Sequence, residues 1–333
     1  MPRRLLAPAI ALGVTATVLP AGLAAQTLGA DFSSAYSTTT LGTPTGVPAQ
    51  LGGLTFLAGD ANTLLIGGSA NQPGGAIYSI GVVRDPVTHS ITGFSGPASV
   101  FATAPNIDGG LSYGPGGVLF ATGYPNNTLL QYLPGSSAPD KIINLSSLPG
   151  TDVSSSVGGL AFVPSGYPGA GGLKIFSYTS NRFYSAVLTA DGSGTYDISD
   201  VILEATLGGG LEGMVYVPMG SAGFTSTSVL VTEYSSGKVG AYDVDADGNP
   251  IVGTRRDFIT GLNGAEGAVI DPLTGDFLFS TFGGGNHVVR VSGFAAPPVS
   301  VTPEPSTFLL AGTGLFAVAA AARRRRRGAR QLA

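Results

Sequence analysis

A glycine-anchored apolar strand recurs five times along this 333-residue chain, and that repeat limits the folds open to it. The copies are Gly52-Gly53-Leu54-Thr55-Phe56, Gly109-Gly110-Leu111-Ser112-Tyr113, Gly158-Gly159-Leu160-Ala161-Phe162, Glu212-Gly213-Met214-Val215-Tyr216 and Glu266-Gly267-Ala268-Val269-Ile270. The second glycine is present in every copy, and copies start 49 to 57 residues apart. In four copies a proline follows two residues later, at Pro115, Pro164, Pro218 and Pro272. A fixed glycine at the start of a strand marks a tight turn or a close backbone approach. A period of this length marks a repeat architecture.

Each repeat reads as four short strands. The first gives Leu54 to Ala58, Thr63 to Gly68, Ala76 to Val83 and Ile91 to Ala102; the fourth gives Met214 to Val217, Ser228 to Tyr234, Val239 to Val244 and Ile251 to Ile259. Gly, Pro, Asn and Asp separate these β-rich runs, and no sustained helical period occurs between residues 26 and 300. Four antiparallel strands repeated radially make a β-propeller blade. The fifth repeat supplies Val269-Ile270, Phe277 to Phe282 and Val288 to Val291 and then runs into proline, so it lacks a fourth strand. Thr27 to Thr40 precedes the first repeat and is expected to complete the last blade, which closes the ring and removes an exposed sheet edge. The expectation is an all-β, five-bladed propeller, with six blades as the alternative if a long connection hides a degenerate repeat. A β-sandwich does not explain five in-phase glycine-anchored strands.

The two ends are different in kind. Arg3 and Arg4, the apolar run Leu5 to Leu19 and the small residues Ala21 to Ala25 form a secretory signal peptide, with cleavage expected after Ala25 and export by the Sec machinery. At the other end Pro303-Glu304-Pro305 precedes an uncharged run, Thr307 to Ala322, and then Arg323, Arg324, Arg325, Arg326 and Arg327. With Ser306 the run is near the lower limit of ~17 residues for crossing a bilayer. The arginines belong on the cytoplasmic side, and the prolines hold the preceding peptide extended. This order resembles the PEP-CTERM sorting signal of Gram-negative bacteria, which implies an exosortase-type processing enzyme as partner. A plain uncut anchor is the alternative. The expected organisation is a signal peptide (1–25), propeller (26–297), extended linker (298–306), transmembrane segment (307–322) and basic cytoplasmic tail (323–333). The protein is thus expected as an inner-membrane-anchored precursor that passes to the cell surface or the extracellular matrix.

Without these ends, residues 26–302 hold 8 basic and 19 acidic residues, a net charge near −11. Nucleic-acid binding needs a basic footprint, so that class is excluded. An acidic body suits a surface or matrix, where divalent cations can bridge it to anionic polymers. The chain has no cysteine, so packing alone must hold the fold.

The body matches no well-known propeller signature closely. It has no tryptophan, which excludes the WD repeat. The Glu-Gly starts of repeats four and five are similar to those of gluconolactonase-type six-bladed propellers, whose central cation is held partly by such a Glu; no Asn or Asp ligands carry over. His89 and His287 are the only histidines, neither in a metal spacing nor beside a nucleophile. No G-x-S-x-G elbow, P-loop or H-E-x-x-H is present.

Two acidic groupings remain. Asp243, Asp245 and Asp247, followed by Gly248, match the first half of a calcium loop, but Thr254 stands where the bidentate Glu belongs. A polar hairpin turn is the plainer reading. Glu212 and Glu266 occupy equivalent positions in adjacent repeats, where the inner strand lines the channel; with Glu233 they form a candidate channel-mouth ligand or cation site. Two neighbouring carboxylates there repel unless hydrated, protonated or bridged by a cation. Strand alternation puts Glu212 and Glu266 on one face with Asn126, Asn181 and Asn286, and the three aspartates on the other. No cofactor motif is complete; calcium is the ion these groupings suit. The leading function is non-catalytic binding or scaffolding, with surface polysaccharide or protein as partner. The alternatives are a lactonase-like, metal-assisted hydrolase and a calcium-dependent adhesin. Acidic and Asn side chains converging on one channel cavity favour the enzyme; scattered ones favour the binder.

Overall fold

The computed structural model describes residues 26–148 and 153–296. Two short strands open the described chain, β1 (Thr27–Leu28) and β2 (Ser37–Gly42). Blade I is β3 (Leu54–Leu57), β4 (Asp60–Gly68), β5 (Ala76–Arg84) and β6 (Ile91–Thr103). Blade II is β7 (Ile107–Tyr113), β8 (Leu119–Gly123), β9 (Thr128–Tyr132) and β10 (Lys141–Asn144). Blade III is β11 (Val157–Phe162), β12 (Leu173–Ser177), β13 (Arg182–Ala190) and β14 (Tyr196–Thr206). Blade IV is β15 (Leu211–Tyr216), β16 (Ser228–Glu233), β17 (Lys238–Asp243) and β18 (Arg256–Thr260); blade V is β19 (Ala265–Ile270), β20 (Phe277–Thr281) and β21 (Val288–Ser292). Every blade is an antiparallel sheet in chain order from the inside out, so the body is a five-bladed β-propeller, not six-bladed.

Closure follows from the missing strand. β2 supplies the fourth strand of blade V, pairing antiparallel with β21 from Ser37↔Ser292 to Gly42↔Val288. The expected segment divides, however: β1 pairs with β18 and becomes a fifth strand on blade IV. The chain between them drops Phe32 and Tyr36 into the core shared by blades IV and V. One further expectation is corrected. The run from Ile251 is not strand until Arg256, because Val252–Thr254 forms a single 3₁₀ turn. The signal peptide, the linker, the apolar segment and the tail, including Pro303, Glu304, Pro305 and Arg323 to Arg327, lie outside the described residues.

Five apolar cores hold the ring, one between each pair of neighbouring blades. At the axis the inner strands meet backbone to backbone, which explains the repeated second glycine. A Cβ on Gly213 would stand 2.5 Å from the Glu266 carbonyl oxygen, and one on Gly53 would stand 2.8 Å from that of Gly109. Hydroxyls on the second strands stitch these contacts. Thr122 accepts the Gly110 N–H (2.9 Å) and donates to the Gly158 carbonyl in the next blade (3.0 Å). Ser280 accepts the Gly267 N–H (3.1 Å) and donates to the Gly52 carbonyl across the closing seam (2.6 Å). Thr232 does the same between Gly213 and Glu266. The seam between blades V and I also carries a buried bidentate ion pair from Arg84 to Asp271, at 2.6 and 3.1 Å.

Candidate metal centre at the propeller axis

Three inner strands each carry a carboxylate at their second residue: Asp108 on β7, Glu212 on β15 and Glu266 on β19. The equivalent places in blades I and III are glycines, Gly52 and Gly158. Because the strands converge, the three side chains meet at the axis, with one oxygen from each lying within 4.8 Å of the others. They are 1 %, 5 % and 1 % exposed. Glu212 and Glu266 were expected together; Asp108 was not. It aligns only when the blades are matched by strand start, since β7 has an extra residue before its Gly-Gly motif is complete.

Such a trio cannot stand as three bare charges. Two unit charges ~5 Å apart repel by roughly 3 kcal/mol even at an effective dielectric of about 20, and burial adds a desolvation penalty. Burial pushes the Asp108 carboxyl up to about 8, opposed by hydrogen bonds from Glu266, Gly109 and Asn71. Burial first, then the neighbouring Asp108 and Glu266 charges, raises Glu212 well above the usual carboxylate range. Burial and Asp108 raise Glu266 likewise. Two buried oxygens, Asp108 Oδ2 and Glu212 Oε2, have no hydrogen-bond partner, nor does the buried Oδ1 of Asn71. Native structures rarely leave such atoms orphaned. Carboxylate and amide oxygens without nitrogen or sulfur suit a hard cation such as Ca²⁺, Mg²⁺ or Mn²⁺.

The trio floors a cavity of about 430 Å³ whose wall includes Asn71, Gln72, Tyr124, Tyr178, Tyr234 and Phe282. The four aromatics are the first residues after the second strands of blades II, III, IV and V. They pack edge to face around the mouth, with ring centroids 6.4, 5.8 and 6.1 Å apart in succession. Blade I breaks the arc and contributes amides instead. Sequence reading missed this arc, although the four positions repeat in phase with the strands.

The other sequence candidates serve local structure. Glu233 is 1 % exposed and receives Arg255 through two hydrogen bonds of 2.8 and 2.7 Å, with the Tyr242 hydroxyl donating at 2.8 Å. It is not one of the converging carboxylates. The Asp243, Asp245 and Asp247 loop packs by Gly248 against Tyr216, at the far end of β15 from Glu212. Four steps along the strand separate those ends by roughly 13 Å. Asp245 accepts the N–H groups of Asp247 (2.9 Å) and Asn249 (2.8 Å). Burial works against its charge, but these hydrogen bonds hold its carboxyl below the usual range. The Lys174 ammonium, buried beside the loop, donates to Asn249 Oδ1 at 2.6 Å. The Asp243 carboxylate accepts the Ser228 hydroxyl at 3.0 Å. Among the described residues only the axial trio brings three potential ligands together. Asn126, Asn181 and Asn286 sit in turns after second strands, where Asn181 and Asn286 accept the Gly210 and Gln50 N–H groups at 2.7 and 2.6 Å. His287 lies beside Thr43, with Nδ1 3.3 Å from its hydroxyl, and His89 occupies an exposed turn.

The fold and the site define a five-bladed propeller with an axial carboxylate centre. Residues 301–327 match the PEP-CTERM protein-sorting motif, which implies export, a membrane-anchored precursor and exosortase processing. No curated protein matches the chain. Solved structures are similar to this chain at low identity. A PQQ-bound aldose sugar dehydrogenase from Streptomyces coelicolor is 15 % identical, with a TM-score of 0.39 over 76 % of this chain and 83 % of that one. Virginiamycin B lyase from Staphylococcus aureus is 14 % identical, with a TM-score of 0.41 over 77 % and 99 %. An auxiliary nutrient binding protein from Bacteroides thetaiotaomicron is 9 % identical, with a TM-score of 0.45 over 77 % and 76 %.

Proposed function

We propose that this is a sorted surface propeller whose axial trio holds a divalent cation and binds a ligand through it at the aromatic mouth. The observation that carries this reading is the convergence of Asp108, Glu212 and Glu266 with unpartnered oxygens under one cavity. A cation supplies the positive charge that three buried carboxylates need and leaves outward coordination positions for a ligand oxygen. The same convergence supports a second reading, metal-assisted hydrolysis, in which the cation activates water. That reaction also needs a proton acceptor. If all three carboxylates ligate the cation, the described residues named in the cavity wall offer only tyrosines for that task. The convergence of three carboxylates and Asn71 on one cavity is the arrangement expected of the enzyme, but with only tyrosines to accept the proton, binding is the leading reading.

Calorimetric titration of chelator-stripped protein with Ca²⁺, Mg²⁺ and Mn²⁺ tests it. One cation should bind per chain. Glu266→Gln should weaken it on the order of 100-fold, the upper end of what even outer partners of a metal contribute. Asp245→Ala should leave it unchanged, because that loop is remote from the axis and filled by its own N–H groups. Equal binding by Glu266→Gln, or none by the wild type, sinks the proposal. Turnover of lactones or esters that vanishes in Glu212→Gln would move the assignment to the hydrolase.

The proposed fate of the tail is removal after export. Mass spectrometry of the mature protein from exosortase-containing cells should find no peptide from Leu309 onward; an intact membrane-embedded C-terminus would refute this.

A further inference from the structure

We propose, resting on the cation reading above, that the mouth receives a neutral saccharide. Its C–H face lies on the aromatic arc, and vicinal hydroxyls complete the oxygen shell of the cation. Four observations converge on that class. First, Tyr124, Tyr178, Tyr234 and Phe282 form a continuous partly exposed arc from equivalent positions of four blades. Aromatic faces carry negative quadrupole density and attract the weakly positive C–H groups that line one side of a sugar ring. Second, the arc opens only at blade I, where Asn71 and Gln72 present amides and the Asn71 Oδ1 is unpartnered. Amides can serve hydroxyls that do not reach the cation.

Third, among the described residues no lysine or arginine lines the cavity. Three carboxylates around one divalent ion leave a formal charge near −1, so a uronate, phosphate or sulfate ester meets repulsion without a compensating partner. An organic ammonium has no lone pair with which to complete the shell of the bound cation. A neutral, oxygen-rich molecule escapes both costs. Fourth, a hard cation of the calcium type takes roughly 6–8 oxygen ligands. Asp108, Glu212 and Glu266 approach it from the axis, and the cavity side is left for oxygens from outside. A cavity of about 430 Å³ suits one or two sugar rings and lies within the ordinary range for small-molecule sites.

The chain has no tryptophan, and three of its 12 tyrosines line the mouth, so part of the tyrosine fluorescence reports on it. Calcium-loaded protein is titrated with the methyl glycosides of glucose, galactose and mannose, and with methyl glucuronide and methyl galacturonide. At least one neutral glycoside should bind ten times or more tightly than its uronide, and chelation of calcium should abolish the signal. Tyr178→Ala and, separately, Tyr234→Ala should each lower glycoside affinity tenfold or more, with calcium affinity within twofold of wild type. Calorimetry on the same samples reads the cation by itself. If calcium fails to bind, the cation reading falls and this inference with it. If calcium binds but no neutral glycoside does, only this inference falls. Uronides that equal the neutral sugars, tetramethylammonium that outcompetes them, or sugar binding that survives chelation would each overturn it.

Discussion

Phe32→Ala should lower the unfolding free energy by about 3–5 kcal/mol, the usual cost of truncating a buried aromatic. Phe32 is fully buried and lies 4.9 Å from the Phe258 ring and 5.1 Å from Phe224, centroid to centroid. Tyr36, one turn later, packs 4.6 Å from Phe294. These contacts fasten the segment that carries β2 to blade V, so the loss acts on ring closure and not on a frayed end. Domains are stable by only about 5–15 kcal/mol, and for chains near this size each kcal/mol moves the midpoint by roughly 2–4 °C. A fall on the order of 10 °C in a single cooperative transition is expected by calorimetry. Asp271→Ala cuts the same closure from its other side and leaves the largely buried Arg84 guanidinium unpaired, a loss that typically costs about 3–5 kcal/mol. Ile142→Ala on the outer strand of blade II, where Ile142 is 57 % exposed, should cost under about 0.5 kcal/mol. If Phe32→Ala matched that control, the N-terminal segment would be an appendage and not part of the ring.

The closure was legible because a count of strands leaves the last repeat one short, and only one segment was available to supply it. The blade frame was legible for a related reason. Close packing of five inner strands at an axis admits no Cβ at the contact, so the second glycine repeats at every turn of the ring. Residues 27–28 escaped the reading because a two-residue strand has no pattern of its own; its place on blade IV is set by the path from Phe32 and Tyr36 into the neighbouring core. The axial site was half legible. Glu212 and Glu266 follow the Gly motif in step, whereas the β7–β8 pairing shifts register between Ile107 and Leu111, so Asp108 falls one place out of phase. The Asp243 to Asp247 loop shows the opposite limit. Its D-x-D-x-D-G spacing is shared by calcium loops and hairpins; the N–H groups that Asp245 accepts come from the turn itself, and Lys174, from a different blade, donates to the neighbouring Asn249. The aromatic arc depends on four turns from four blades meeting at one mouth, information that a single repeat does not contain.

In cation-free protein, stability should fall as pH rises from about 4 to about 8, and cation should reverse that trend. Asp108 is raised to about 8 in the fold, and Glu212 and Glu266 are raised well above the usual range. In the unfolded chain these groups titrate near 4. Between those limits the folded state binds more protons than the unfolded state, so each pH increment favours unfolding. The contribution is therefore complete at low pH and is lost as pH passes through the folded values. A bound divalent ion takes the place of the protons and works in the opposite sense, because protons compete with it most at low pH. At pH 8, cation at 100 times its dissociation constant should add ~2.7 kcal/mol; at pH 5 the addition should nearly vanish. Below pH 4 a separate loss is expected from Asp191 and Asp257, whose carboxyls are held low, Asp191 mainly by Lys141 and Thr195 and Asp257, against its burial, by Lys238 and Arg255. The double variant Glu212→Gln, Glu266→Gln removes two of the three axial titrations, since its amides do not titrate, and leaves that of Asp108. Melting curves at pH 5 and pH 8, with chelator and with calcium, give four values for each protein. The wild type should show a calcium-induced shift several degrees larger at pH 8 than at pH 5, and the double variant should show none at either pH. Equal shifts at both pH values, or a shift retained by the double variant, would place the cation somewhere other than the axis.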